Sequence, residues 1–233
     1  MTLPLVLLHS PLVGPATWLS VAHYLLARGR DVVVPDLRFV TTGEPPYWPR
    51  VADTVIDAMY QLDTQGPVVL VGHSNAGLFL PLIADASPRP VAGAVFVDAS
   101  LPADHGETPV LSAGLFDRLA ALADATGRLP RWSDWWPEKD VASLLPDPDV
   151  RAMVVAEQPR LPLTYFEQTL PEPVLWKSIP CGYLQFSRAY DDQADRAGRA
   201  GWPVVLLPGG HLHQVVDPYR VADVLLQLVA QVA

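Results

Sequence analysis

Short apolar runs rich in Val and Leu punctuate the chain at residues 3–8, 31–37, 68–71, 91–97, from Gly182 onward and at 204–207. Their length and composition predict strands buried on both faces. Between the second and third runs Val51, Val55, Met59 and Leu62 recur at helical spacing. Near the C-terminus Val221, Val224, Leu225, Leu228 and Val232 do the same. Both stripes read as core-facing helix faces. Gly29 and Gly66 stand where the preceding helices are expected to end. Strand alternates with helix, so the predicted class is α/β, a mostly parallel sheet with helices on both faces. No internal repeat is visible.

The alternation breaks between Leu101 and Pro180. This stretch is rich in Pro, Asp and Trp, with helical segments expected near 111–125, 149–158 and 163–169. It carries Phe116, Trp132, Trp135, Trp136, Tyr165, Phe166 and Trp176.

The third run leads directly into Gly72-His73-Ser74-Asn75-Ala76-Gly77 and then the apolar residues 78–83. That is strand, tight turn and helix with a serine at the apex, and it resembles the nucleophile elbow of the α/β-hydrolases. Small residues flank the serine because strand and helix backbones approach closely there; Ala76 replaces the usual second glycine, and Gly77 follows. The resemblance runs nearly end to end. The first strand ends in His9-Ser10-Pro11-Leu12, where the family places a His-Gly loop. Pro35-Asp36 resembles the turn after the second strand. Pro208-Gly209-Gly210-His211, with Pro218 beyond it, resembles the catalytic-histidine loop. The chain order of serine, acid and histidine matches too. The two antiparallel strands that often open the family's sheet have no room before His9, so this is a minimal version of the fold. The resemblance implies a helical cap at 101–180, inserted before the penultimate strand, over a hydrolase core at 1–100 and 181–233.

The resemblance also assigns roles. Ser74 is the expected nucleophile, because a hydroxyl needs a base in reach and the base needs an orienting acid. His211 is the expected base; His213 is its competitor but points the other way in an extended loop. His73 is expected to pack aside and His9 to be structural. For the acid there are two candidates. Asp98 ends the strand after the elbow helix, a position used by a minority of the family. Asp191 follows the penultimate strand, where the turn Ser187-Arg188-Ala189-Tyr190-Asp191-Asp192 puts Tyr190 in the usual acid position. Asp191 and Asp192 also precede a helical stretch and could cap it. Asp98 is preferred and Asp191 kept as the alternative. The Asn75 N–H is the first expected oxyanion donor. The second falls on Pro11, which has no N–H, so Leu12 must supply it through a shifted loop or the hole is weakened. Some aromatics of the cap, with Trp132, Trp135, Trp136 and Tyr165 foremost, are expected to line an apolar pocket; any one of them could equally be cap core.

The implied reaction is hydrolysis of a small apolar or aromatic ester, thioester or lactone through a Ser74 acyl-enzyme. One rival is a lyase or cyclase of natural-product metabolism using Ser74 and His211 as acid and base, which Pro11 favours. Another is a ligand receptor on the same fold.

Composition narrows this further. The 233 residues suffice for one domain with a substantial core, and half of them are apolar. Net charge is −9 with no Lys/Arg cluster, which argues against nucleic acid or anionic membrane as partner; a small-molecule substrate is expected. Cys181 is the only cysteine; it starts an apolar strand and reads as structural. No metal-ligand cluster or cofactor motif stands out, so no cofactor is expected. The N-terminal apolar run lacks a basic flank and is needed as a strand, so it reads as mature protein and the expected location is cytoplasmic.

Overall fold

Every one of the long apolar runs becomes a strand of one sheet. The structure is a computed structural model that describes residues 2–111, 113–174 and 176–233. In chain order it begins with β1 (Leu5–Leu8), α1 (Ala16–Ala27), β2 (Val32–Val33), α2 (Trp48–Met59) and β3 (Val68–His73). A 3-10 turn (Ser74–Phe79), α3 (Leu80–Ala86) and β4 (Val91–Val97) follow. Then come β5 (Thr108–Pro109), α4 (Ala113–Ala120), a 3-10 turn (Trp132–Trp135), α5 (Glu138–Leu144), α6 (Pro148–Glu157), α7 (Thr164–Glu167) and β6 (Thr169–Leu170). The chain closes with β7 (Cys181–Gln185), α8 (Asp191–Arg199), β8 (Val204–Leu206), α9 (His213–Val216) and α10 (Pro218–Val232).

The main sheet has the order β2-β1-β3-β4-β7-β8, every neighbouring pair parallel. β5 and β6 form a separate antiparallel pair. Alternate side chains of β1, β3, β4 and β7 enter two cores, while the edge strand β8 exposes Val204 and Leu206. Leu5, Leu7, Val69, Val71, Val95 and Val97 pack against α1 and α10. Val6, Leu8, Leu70, Ala94 and Phe96 pack against α2, α3 and α8. Each such Val or Leu contributes about 1.5–3 kcal/mol by leaving water. The α10 stripe is buried throughout. At Gly93 the end of α10 comes so close that a Cβ would lie 2.6 Å from the Val232 carbonyl oxygen. Among the described residues no helix is long and apolar enough to cross a membrane.

Several expected boundaries move, each for a local reason. Gly29 does follow α1 in the left-handed region, at φ +72°. Gly66 does not end α2, which stops at Met59. The buried Arg89 does that work, its guanidinium donating to the carbonyls of Met59, Thr64 and Gly66. β2 is much shorter than the apolar run, because past it the Leu37 N–H turns inward to donate to His9 Nε2. The segment expected helical over 111–125 is helical only at Ala113–Ala120, and Ser112 lies outside the described residues. Asp124 then folds a turn by accepting the N–H groups of Thr126 and Arg128.

Because the sheet strands are parallel, their C-terminal ends share one edge. That edge brings together the loops after β1, β3, β4, β7 and β8.

Candidate active site

Ser74 and Asp98 are the two non-glycine residues with positive φ among the described residues, at 59° and 41°. Such a backbone costs on the order of 1–3 kcal/mol and persists only where its surroundings enforce it. At Ser74 the enforcement is visible. The Ser100 N–H donates to the Ser74 carbonyl at 3.1 Å. Gly77 lets the turn lie against that same loop: a Cβ there would meet the Ser100 carbonyl oxygen at 2.5 Å and Ala99 Cβ at 2.9 Å. The glycine the elbow needs is therefore Gly77, and the buried Ala76 is tolerated.

His211 bridges the two strained residues. Its Nε2 lies 2.9 Å from Ser74 Oγ, and its Nδ1 lies 2.7 Å from Asp98 Oδ2. Asp98 is fully buried. Burial alone would raise its pKa, but the hydrogen bond and charge of His211 and the N–H groups of Ser187 and Phe186 outweigh that and hold it below the usual carboxylate range. Those N–H groups donate to Oδ1, both at 2.9 Å, and the Ser187 hydroxyl donates to Oδ2 at 2.8 Å. An ionised carboxylate only accepts, so Nδ1 of His211 carries the proton and Nε2 is free to accept from Ser74.

Two further histidines frame the site and stay neutral. His73 Nε2–H donates to the His211 carbonyl at 2.7 Å, and the two rings lie 4.6 Å apart. Burial, helped by the neighbouring His211, lowers its pKa to about 3. His9 Nδ1–H donates to the Ser10 carbonyl at 2.8 Å while Nε2 accepts from Leu37. Burial lowers its pKa to about 4. His213 packs edge-on against Phe186.

Asp191 is exposed, sits in the first turn of α8 and accepts from Gln185 Nε2 at 2.5 Å. It caps nothing, since Tyr190 is the N-cap and makes no side-chain cap bond. The oxyanion loop departs from expectation as well. The Leu12 N–H is already engaged with Ser10 Oγ at 3.3 Å, and Pro11 offers none. Asn75 N–H belongs to the first turn of the 3-10 helix, where donors have no helical acceptor. Asn75's side chain is held by the Tyr165 hydroxyl, which donates to Oδ1. Tyr165 is fully buried, so its part is to brace the elbow and not to line a pocket.

A cavity of about 10 Å³ lies at Ser74, walled by Ser10, Leu12, Val13, His73, Trp132, His211 and Leu212. It has room for about one water. Trp132 lies 6.5 Å from the His211 ring and meets Trp136 edge-on. Trp136 is exposed. Trp135 packs edge-on against Phe166 and donates its indole N–H to Pro130, so it serves the packing of its own segment. Among the described residues no group of three or more His, Cys, Asp and Glu could hold a metal ion.

Sequence reasoning missed three participants. Ser187 anchors Asp98, His73 clamps the His211 backbone, and Tyr190 stacks on His211 with ring centroids 5.0 Å apart and planes 8° apart. Its hydroxyl lies 3.4 Å from Ser74 Oγ. The turn where the acid was sought was the available signal: it supplies Ser187 and Tyr190 instead of a carboxylate.

The sequence profile of the Alpha/beta hydrolase family matches residues 5–224. No curated protein sequence matches the chain. Among solved structures, an extracellular alpha/beta-hydrolase from a Paenibacillus species, described as sharing structural and functional homology with tobacco salicylic acid binding protein 2, has TM-score 0.73 and 19% identity, with 100% of this chain and 99% of that one covered. A pyrethroid hydrolase from Sphingobium faniae JZ-2 has TM-score 0.69 and 23% identity, with 97% of each chain covered. The thioesterase domain from the curacin biosynthetic pathway has TM-score 0.62 and 22% identity, covering 96% of this chain and 91% of that one.

Proposed function

The chain belongs to the alpha/beta hydrolase family, and we propose that it is a serine hydrolase acting on a small apolar or aromatic ester, thioester or lactone. The observation that carries this reading is the unbroken line from Asp98 Oδ2 through His211 to Ser74 Oγ. His211 Nε2 takes the Ser74 proton as Oγ attacks the acyl carbon. Nδ1–H remains bound to Asp98, which stabilises the imidazolium. Asn75 N–H faces the developing oxyanion. His211 then protonates the leaving group, and a water activated by the same nitrogen releases the acyl group from Ser74.

The apolar wall of Leu12, Val13, Trp132 and Leu212 supports an uncharged acyl group. The cavity as it stands is too small for one, so we read 101–180 as a cap whose Trp132 must move for substrate to enter. Relatives named as a pyrethroid hydrolase and a thioesterase are consistent with ester and thioester chemistry. The oxyanion loop favours one second reading. With no N–H on Pro11 and that of Leu12 already engaged, the same pair could serve a lyase or cyclase as acid and base without acylation.

A fluorophosphonate probe separates the two. The expected result is a covalent adduct on Ser74 located by mass spectrometry. An intact protein without adduct rejects the acyl-enzyme.

A further inference from the structure

Ser74 Oγ has one proton and two lone pairs. Its proton points to His211 Nε2, because the Nδ1 proton of that ring belongs to Asp98. The contact from Ser74 Oγ to the Tyr190 hydroxyl at 3.4 Å therefore has only one possible sense: the phenol donates. Ser100 holds the Ser74 carbonyl through its N–H, which fixes the turn that carries Oγ. The Tyr190 ring is fixed by its near-parallel stack on His211.

We propose that Tyr190 is a catalytic residue, a hydrogen-bond donor that stabilises negative charge on Ser74 Oγ itself. The inference rests on the serine-hydrolase reading. In acylation the bond from Oγ to the acyl carbon forms, the leaving-group bond breaks, and the Oγ proton passes to His211 and on to the leaving group. In deacylation the water oxygen bonds to the acyl carbon, the bond to Oγ breaks, and Oγ recovers a proton from His211. Oγ carries partial charge in both transition states, and the phenol keeps its own proton throughout. Burial pushes the Tyr190 phenol up to about 12, which keeps that donor protonated across the working range. A 3.4 Å contact is long for a resting hydroxyl pair and shortens as the acceptor gains charge. An oxyanion loop stripped of one donor at Pro11 is where an extra donor on the nucleophile counts most.

Tyr190→Phe keeps the stacked ring and deletes only the donor. The readouts are the second-order rate of fluorophosphonate labelling at Ser74, kcat/KM on a p-nitrophenyl ester, and the thermal midpoint. Labelling and kcat/KM should fall by about 10–100-fold, the range for one lost hydrogen bond to a charged group, with the midpoint little changed. A Tyr190→Phe protein that labels at the wild-type rate overturns the proposal and leaves the hydrolase reading standing. Wild-type protein that does not label at Ser74 overturns both. If Tyr190→Phe does not fold, fluorotyrosine incorporated at Tyr190 decides: the more acidic phenol, a stronger donor, should raise the labelling rate, and an unchanged rate rejects the donor.

Discussion

The core edge and the segment at 101–180 share one hydrophobic core, but only the edge is built on a strand ladder. On the core edge Ser74 and Asp98 follow β3 and β4, central strands paired on both sides and buried on both faces, while His211 follows β8, an edge strand paired only with β7. The 101–180 segment is short helices and turns that bury Leu129, Leu161, Tyr165, Phe166 and Leu170 against the sheet's own core and add polar side chains gripping backbone. Glu157 Oε2 accepts the Ala16 N–H at the start of α1 at 2.7 Å. Gln168 accepts from the Tyr47 N–H at 3.0 Å and donates to the Tyr165 carbonyl at 2.9 Å. Gln158 accepts from Ser133 at 2.9 Å, and Asp147 caps α6. A ladder-bound edge can store strain at two residues. The proposed cap is held by side-chain contacts in place of such a ladder, so the proposed movement of Trp132 at the small cavity over Ser74 breaks none of the sheet's pairing.

If that division is right, substitutions on the edge should destroy turnover without unfolding, and substitutions in the proposed cap should alter selectivity or stability. The largest effect is expected for Ser74→Ala, a loss of about 10⁴–10⁶ in kcat by analogy with serine-protease triads, with an unchanged thermal midpoint. His211→Ala should match it, and the double variant should be little worse. A Ser74→Ala protein retaining a tenth of wild-type activity excludes covalent catalysis. Next comes the acid. Asp98→Asn should cost at least about 10² in kcat, since an amide imposes the wrong imidazole tautomer, while Asp191→Asn should cost under about tenfold. Equal losses would place the orienting role elsewhere.

Acid titration tests the core edge in another way. His9 and His73 are neutral in the fold well below the ordinary histidine range. Between about pH 6.5 and 4 the unfolded chain binds protons that the native state refuses, so stability rises with pH there. Each histidine contributes up to about 1.4 kcal/mol per pH unit. Denaturant midpoints should drop between pH 7 and pH 5, and His9→Asn should flatten the drop. The smallest effect is expected at Trp132. Trp132→Ala should shift relative kcat/KM among acyl chain lengths severalfold, about 1 kcal/mol of apolar contact. Trp135→Ala should instead lower stability by about 2 kcal/mol, below the range for a fully buried tryptophan, and leave chain-length preference alone. If Trp135→Ala changes preference and Trp132→Ala does not, the two rings have been assigned the wrong way round.

The catalytic edge was legible because its signals are local. A six-residue elbow, a glycine-rich loop with a following proline, and a strand ending in aspartate can each be read from neighbours in the chain. The proposed cap was legible only as an interruption. Its 3-10 turn and α5 carry little periodicity, and its helices end where Asp124 or Gln168 captures a backbone group, which no hydrophobic pattern records.

Local patterning along the chain specified the parallel sheet, the α10 stripe and the Ser74–His211 pair, because apolar runs and small-residue turns act on the backbone where they stand. Tertiary structure alone decided which aspartate faces His211, that Gly77 and not residue 76 must be glycine, and that Tyr165 braces Asn75. It also placed the Tyr190 hydroxyl on Ser74 Oγ. These outcomes depend on residues brought together from different strand ends of one edge. A contact across that distance is fixed by the packing of whole elements, and leaves no mark on the residues beside it in the chain.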